Sequence, residues 1–395
     1  MAYITSQMLR ESANGNELDS LKISIMQHIA DQGFTIDGKN NLTYNCSNKN
    51  QVRKLHSEAV NYLIEKNSRL LNRVEDDFVR RYIANGEEVD IERIEPRLME
   101  VTSEDDAEIF RWVKLHWSIP TSAGYGRRLR YIVWDRSNHK MIGIIGLADP
   151  IFAMKDRDNA IGWNKRQRSV RLRSVMDAFV LGSVPPYSLI LGGKLVAGLV
   201  ASTEIQDSFS RKYNGSISLI NRREFDGQLA AITTTSALGK SSMYDRLKMY
   251  NGTANDDGPR FNHAGWTSGS GEFPFLNGTY QELLRLVENS SADHLGKNIA
   301  WGKGVRNRRT VVKYGLRKLG LSDNLLYHGV KREIFITNLG TNWKEFLCGT
   351  QDSLIKYDYS SRDISDFIMS RWIRPRAERN QEYLRFEKDE YRINK

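Results

Sequence analysis

Residues 127–151, RRLRYIVWDRSNHKMIGIIGLADPI, constrain the fold more than any other stretch of the chain. Leu129-Arg130-Tyr131-Ile132-Val133-Trp134 is rich in β-branched and aromatic side chains. Met141-Ile142-Gly143-Ile144-Ile145-Gly146-Leu147 is apolar at every position. The polar run Asp135 to Lys140 separates them. Two strand-prone runs around a short polar loop predict an antiparallel hairpin. Successive side chains of a strand point to opposite faces, so a strand apolar throughout must be covered on both. Gly143 and Gly146 weaken such a strand unless another backbone or a ligand comes close. The hairpin therefore belongs at the centre of a mixed sheet.

The flanks carry weaker signals. Apolar residues recur at helical spacing from Gln7 to Ala30, and from Gln51 to Tyr82 at Val52, Leu55, Val60, Leu63, Ile64, Leu70, Leu71, Val74 and Phe78. Ile94 to Val101 predicts a short strand. A helix to Trp117 follows, opened by Ser103 and Asp106 in a loose capping box. Asp177 to Val184 is a buried strand stopped by Pro185-Pro186, and Tyr187 to Val200 an apolar helix. Gln228 to Thr235 is a further strand; Ser236 to Ser242 is a hydroxyl-rich corner leading into a helix with Tyr244 and Arg246. The glycines of His263 to Phe273 argue against regular structure there. Val311 to Leu319 reads as a basic helix, Lys331 to Leu339 as a strand, and Ile364 to Trp372 as a short helix. The charged residues 376–395 are expected at the surface. The divisions expected are an N-terminal helical region (1–90), an α/β core (91–290) and a basic C-terminal region (291–395).

Composition narrows the function. The 395 residues carry a formal net charge of +10, which favours an anionic partner, most often nucleic acid. The excess is concentrated: Lys297 to Arg332 holds ten Lys or Arg and one acid, Asp323. There Trp301, Lys303, Arg306, Arg308, Arg309, Lys313, Arg317 and Lys318 are the candidate DNA contacts, with cations for phosphates and Trp301 for stacking. A second basic run supplies Lys165, Arg166 and Arg168. Two cysteines, Cys46 and Cys348, argue against a disulfide framework or a cysteine zinc site. His116, His139, His263, His294 and His328 show no metal-ligand spacing, so no metal is expected. Gly239-Lys240-Ser241 lacks the upstream glycine of a phosphate loop, because Thr234 stands there. No apolar run approaches the roughly 18 residues of a membrane span, and the N-terminus lacks a signal-peptide layout. A cytoplasmic protein without membrane contact is expected.

The motifs LRYIVWD, IIGLADPIF, KDRDNAIGWNKRQR, MDAFVLGSVPPYSLILGGKLVA, AAITTTSALGKSSMYDRL and HAGWTSGSGEF, in this order, resemble the DruA family of the type I Druantia anti-phage system. The resemblance implies bacterial defence beside other Druantia components, including a large helicase-like protein. More distantly, the order strand, helix, hairpin, strand, turn, helix, strand resembles GNAT acyltransferases and the phage DNA-modifying Mom proteins. That likeness implies an α+β fold with a mixed, mostly antiparallel central sheet flanked by helices. It departs from the pattern where Val184-Pro185-Pro186-Tyr187-Ser188 replaces the acyl-coenzyme-A loop. A transferase on this fold would use Tyr187 or Ser188 near its donor, and Ser236, Tyr244 or Asp245 near its acceptor; the cofactor is unknown. Three functions stay open: a DNA-binding defence component, a nucleic-acid-modifying transferase, and an assembly subunit docking through its N-terminal helices.

Overall fold

The computed structural model describes residues 17–121, 126–217, 222, 224–249, 258–276, 278–289 and 305–394. Seven strands form its main sheet: β1 (Pro96–Glu100), β2 (Arg128–Asp135), β3 (Lys140–Ala148), β4 (Val175–Ser183), β5 (Ala231–Thr235), β6 (Phe261–Trp266) and β7 (Glu333–Asn338). Their order across the sheet is β1-β2-β3-β4-β5-β7-β6. Every neighbouring pair is antiparallel except β4 and β5, which run parallel. The hairpin β2–β3 forms as its sequence predicts, and β3 is buried from Met141 to Ala148. Its glycines admit close neighbours: a Cβ on Gly143 would stand 2.3 Å from the Gly182 carbonyl oxygen, and one on Gly146 would meet the Phe179 ring.

The helices of the sheet unit are α1 (Ser68–Tyr82), α2 (Glu104–Lys114), α3 (Lys155–Ile161), α4 (Lys165–Arg171), α5 (Gly192–Gly198), α6 (Thr203–Tyr213), α7 (Trp343–Cys348), α8 (Ser361–Ile368) and α9 (Arg374–Arg379). They form two layers. On one face Met176, Ala178, Leu181, Ile232 and Phe335 pack with Leu195, Ile205, Phe209, Ile364 and Ile368. On the other, Ile132, Met141, Ile144 and Val180 meet Leu71, Phe78, Ile109 and Trp112 from α1 and α2. Further along that face Val175, Ala231 and Ile336 meet Ile161, Trp343 and Phe346. Each such side chain contributes on the order of 1.5–3 kcal/mol relative to exposure. The capping box at Ser103 and Asp106 opens α2 as expected.

The chain divides into two compact units. The sheet unit comprises the described residues of Ile64–Trp117, Thr121–Thr267 and Arg332–Lys395; the smaller comprises those of Met1–Leu63, Ser118–Pro120 and Ser268–Lys331. The expected boundary near residue 290 does not separate core from appendage, because β7 inserts between β5 and β6. The smaller unit is built on the helices Glu17–Asp31, Thr279–Asn289 and Val305–Lys318. Ile25, Ile29, Phe34, Phe273, Phe275, Leu283, Val312 and Leu316 form its core.

Four local expectations need correction. The apolar segment after Pro186 is a single 3-10 turn (Tyr187–Ile190), then Leu191 at φ +67°, then α5. A Cβ on Gly192 would lie 2.6 Å from the Tyr187 carbonyl oxygen, so the chain closes on itself there. Ser236 to Leu247 forms a loop instead of leading into a helix. Its Ser242, Met243 and Asp245 carbonyls accept from the Lys194 ammonium at 2.8–3.2 Å, an alternative to helical bonding. The glycine-rich stretch begins as the edge strand β6. The C-terminal segment is docked as well as charged: Tyr391 is buried, stacks on His116 at 3.8 Å, and is followed by Ile393 and Asn394 amides donating to Glu75.

Candidate functional site

In the sheet unit the basic run 165–173 is largely turned inward. Arg157 is fully buried; its guanidinium donates to Asp158 Oδ1 at 2.7 Å and to the Ile151 carbonyl at 2.8 Å, and lies over the Trp163 ring. Asp158 Oδ2 accepts from Arg168 at 2.7 Å, and Arg168 also covers Phe152. Arg171 lies 4.3 Å from the centre of the Phe346 ring and within 3.5 Å of Asp226. Arg173 sits over Phe225. The motif KDRDNAIGWNKRQR thus builds a buried charge network that fastens α3 to α4. Of its candidate contacts, Lys165 and Arg166 remain exposed.

In the smaller unit the helix Val305–Lys318 keeps Arg309, Arg317 and Lys318 exposed, with Arg308 and Lys313 half-buried. Arg309 is 47 % exposed and pairs with Glu272; Arg317 is 64 % exposed and pairs with Asp323 at 2.5 Å. Arg308 donates to the Phe275 carbonyl at 3.2 Å and lies over Tyr280. Lys313 lies over Tyr327 and Lys318 over Tyr314. Buried Val311, Val312 and Leu316 hold the opposite side of this helix. Trp301 and Lys303 lie outside the described residues, as does the side chain of Arg306.

The catalytic candidates do not assemble into one constellation. The Tyr187 hydroxyl is buried in the β2–β3 turn, donating to Asp135 Oδ2 at 2.9 Å and accepting from Asn138 Nδ2 at 2.9 Å. Burial, then the Asp135 carboxylate, push its pKa up. The Tyr244 ring is stacked on Phe261 and its hydroxyl is pushed up to about 12 by burial. Ser236 is buried; its hydroxyl donates to the Gly239 carbonyl and accepts from the Glu333 amide at 2.9 Å. Ser188 and Asp245 are exposed. Among the described residues no group of His, Cys, Asp and Glu is placed to hold a metal, and no helix is long and apolar enough to cross a membrane. Both cysteines are free thiols.

Two features lie within the motifs without a role assigned to them. Asp177 lies at the parallel junction, where β4 and β5 pair only from Val175↔Ala231 to Ala178↔Thr234 although β4 runs on to Ser183. The pairing stops there because β5 ends at Thr235, which leaves the far half of β4 without a partner from β5. The half-buried Asp177 carboxyl accepts from Thr233 Oγ1 at 2.7 Å, and burial raises its pKa. Second, the edge strand brings His263 Nε2 to 3.7 Å from Glu333 Oε1. Glu333 is buried and accepts from the Ser241 amide at 2.6 Å. Trp266, 42 % exposed, stands edge-on to His263 with ring centres 6.3 Å apart. Only a register shift in β6 brings residues three apart to one side, and the periodicity of HAGW carries no sign of it.

A family model described as Druantia protein DruA matches residues 46–349. This chain belongs to the DruA family. Among curated DruA relatives, "Druantia protein DruA" of Escherichia coli (strain UMEA 4076-1) is 38 % identical over 369 residues, covering 92 % of this chain and 88 % of the relative. No solved structure matches. The DruA match spans the β2–β3 hairpin, the α3–α4 charge network and the basic helix of the smaller unit.

Proposed function

We propose that this chain engages DNA for a Druantia anti-phage defence system, working beside other Druantia components that include a helicase-like protein. Membership of the DruA family supports the defence role. The observation that carries DNA binding is the state of the cations on Val305–Lys318. Their carboxylate partners, Glu272 and Asp323, form exposed pairs, and exposed pairs contribute only about 0–1 kcal/mol each. A DNA phosphate can therefore replace either carboxylate at small cost, and each phosphate neutralised releases counterions from the duplex. Purified protein titrated with duplex DNA at two salt concentrations tests this. Binding with a steep salt dependence supports it; no binding at low salt rejects it.

A transferase is the second reading. It is favoured by the chain order from β1 through α2, the hairpin, β4 and α5 to β5, and by the short parallel pairing of β4 with β5. The turn after β4 weighs against an acyl-coenzyme-A site. The Ser188 and Leu189 amides already donate to Val184 and Pro186 carbonyls at 2.9 and 3.0 Å, so they are not free for a pyrophosphate. Native mass spectrometry decides between the readings: a bound nucleotide-like ligand supports the transferase, and its absence under saturating acyl donor rejects it.

A further inference from the structure

Strand β6 is an edge of the sheet, and its distorted end gathers three side chains on one side. Its pairing with β7 steps from His263↔Phe335 directly to Gly265↔Ile334, leaving one extra residue in β6. Such a bulge re-aims the residues after it. Gly265 has φ +126°, a backbone region open to glycine, and a Cβ there would fall 2.3 Å from Asp156 Oδ2. The same oxygen accepts from the Trp266 amide at 2.9 Å. Asp156 therefore fixes the bulge, and the bulge brings Trp266 beside His263. Behind the imidazole, Glu333 is fixed by the Ser241 amide.

The result is a flat, partly exposed indole with a hydrogen-bonding ring nearly perpendicular to it, at an interplanar angle of 71°. Two cations adjoin it in the chain. Lys155, beside Asp156, is exposed. Arg332 is half-buried; its carbonyl accepts from the Thr267 amide at 2.8 Å, its amide donates to Thr267 Oγ1 at 3.0 Å, and burial holds its guanidinium below the ordinary arginine value. Neither side chain meets an acid among the described residues. A partly exposed stacking ring suits single-stranded nucleic acid, because every base offers a π-face. Of the imidazole nitrogens, Nε2 faces Glu333, which leaves Nδ1 for the edge of the stacked base.

We propose that Trp266, His263 and Glu333 form a stacking site for an unpaired nucleobase. This rests on the reading of the chain as a nucleic-acid binder, and names the state of the nucleic acid one site takes. Glu333 and Asp156 are positioning residues: the first orients His263, the second sets the bulge.

The test uses the full chain and one oligonucleotide sequence carrying 2-aminopurine, presented single-stranded and as a duplex. The expected result is quenched 2-aminopurine emission on binding the single strand. Trp266→Ala should weaken single-strand binding by about tenfold or more and leave duplex binding unchanged. Trp266→Phe should recover most of the loss, which a merely structural role for the indole would not require. Unchanged emission with wild-type protein, or an equal loss for both forms in Trp266→Ala, overturns the site. If wild-type protein binds the duplex while Trp266→Ala binds the single strand as wild type does, this proposal alone falls. If neither form binds at low salt, the nucleic-acid reading falls with it.

Discussion

Two basic helices of similar sequence character have opposite fates. In α4 two of the three arginines turn back to acids and ring faces: Arg168 is 14 % exposed against Asp158 at 7 %, and Arg171 is 16 % exposed over Phe346, while Arg166 stays exposed. In Val305–Lys318 the arginines paired to acids are 47 % and 64 % exposed. Desolvation makes the difference. Removing one partner of a buried pair leaves an uncompensated charge at a cost of ~3–5 kcal/mol, whereas an exposed pair exchanges its anion almost freely. Cation density alone therefore does not locate a polyanion site; the accessibility of the counter-charge does.

The sharpest way to break this comparison is Asp158→Ala. It strips the anion from both Arg157 and Arg168, and urea unfolding should show a loss of ~3–5 kcal/mol. A loss below ~1 kcal/mol would place the α4 network in the same class as the exposed helix. Next in size, joint reversal of Arg308 and Arg309 to Glu should weaken duplex binding and flatten the salt dependence, by roughly 0.9 in log–log slope for each phosphate no longer neutralised. Reversal of Arg171 instead should cost stability before affinity.

The pH dependence of stability probes the junction between β4 and β5. Burial raises the Asp177 pKa in the folded chain, so the folded state holds that proton more tightly than the unfolded state does. The favourable contribution is complete below the ordinary aspartate range and is lost as pH rises through the raised value. Asp177→Asn, which cannot ionise, should match wild type in acid and exceed it in Tm at neutral pH. A constant Tm difference across that window would contradict the raised pKa. The smallest effect is expected for Glu272→Gln: a stability change under ~1 kcal/mol, with slightly tighter DNA binding as Arg309 is freed.

Much of the fold was legible. The hairpin, β1, α2, β4 and β7 follow from patterns that local chemistry enforces: β-branched alternation, a capping box, a buried apolar run. What sequence could not give was where an element docks. Glu333 to Asn338 reads as a strand, yet nothing local says that it inserts between β5 and β6. The charged tail looked exposed because Tyr383, Phe386 and Tyr391 are too widely spaced to mark a face, although all three are buried. The site was legible only as cation density. Whether Arg168 faces water or Asp158 depends on a turn at Gly162, φ +93°, that folds α4 back toward α3. No linear metal or triad spacing marks His263, because its partner Glu333 lies on another strand.

The most direct test is the slope of log affinity against log salt for duplex DNA, measured on wild type, on Arg308→Glu/Arg309→Glu, and on Lys165→Glu/Arg166→Glu. A steep wild-type slope that flattens most in the first variant is the result expected if DNA lies along the helix Val305–Lys318. Equal slopes in wild type and that variant, or no binding at low salt, would contradict it.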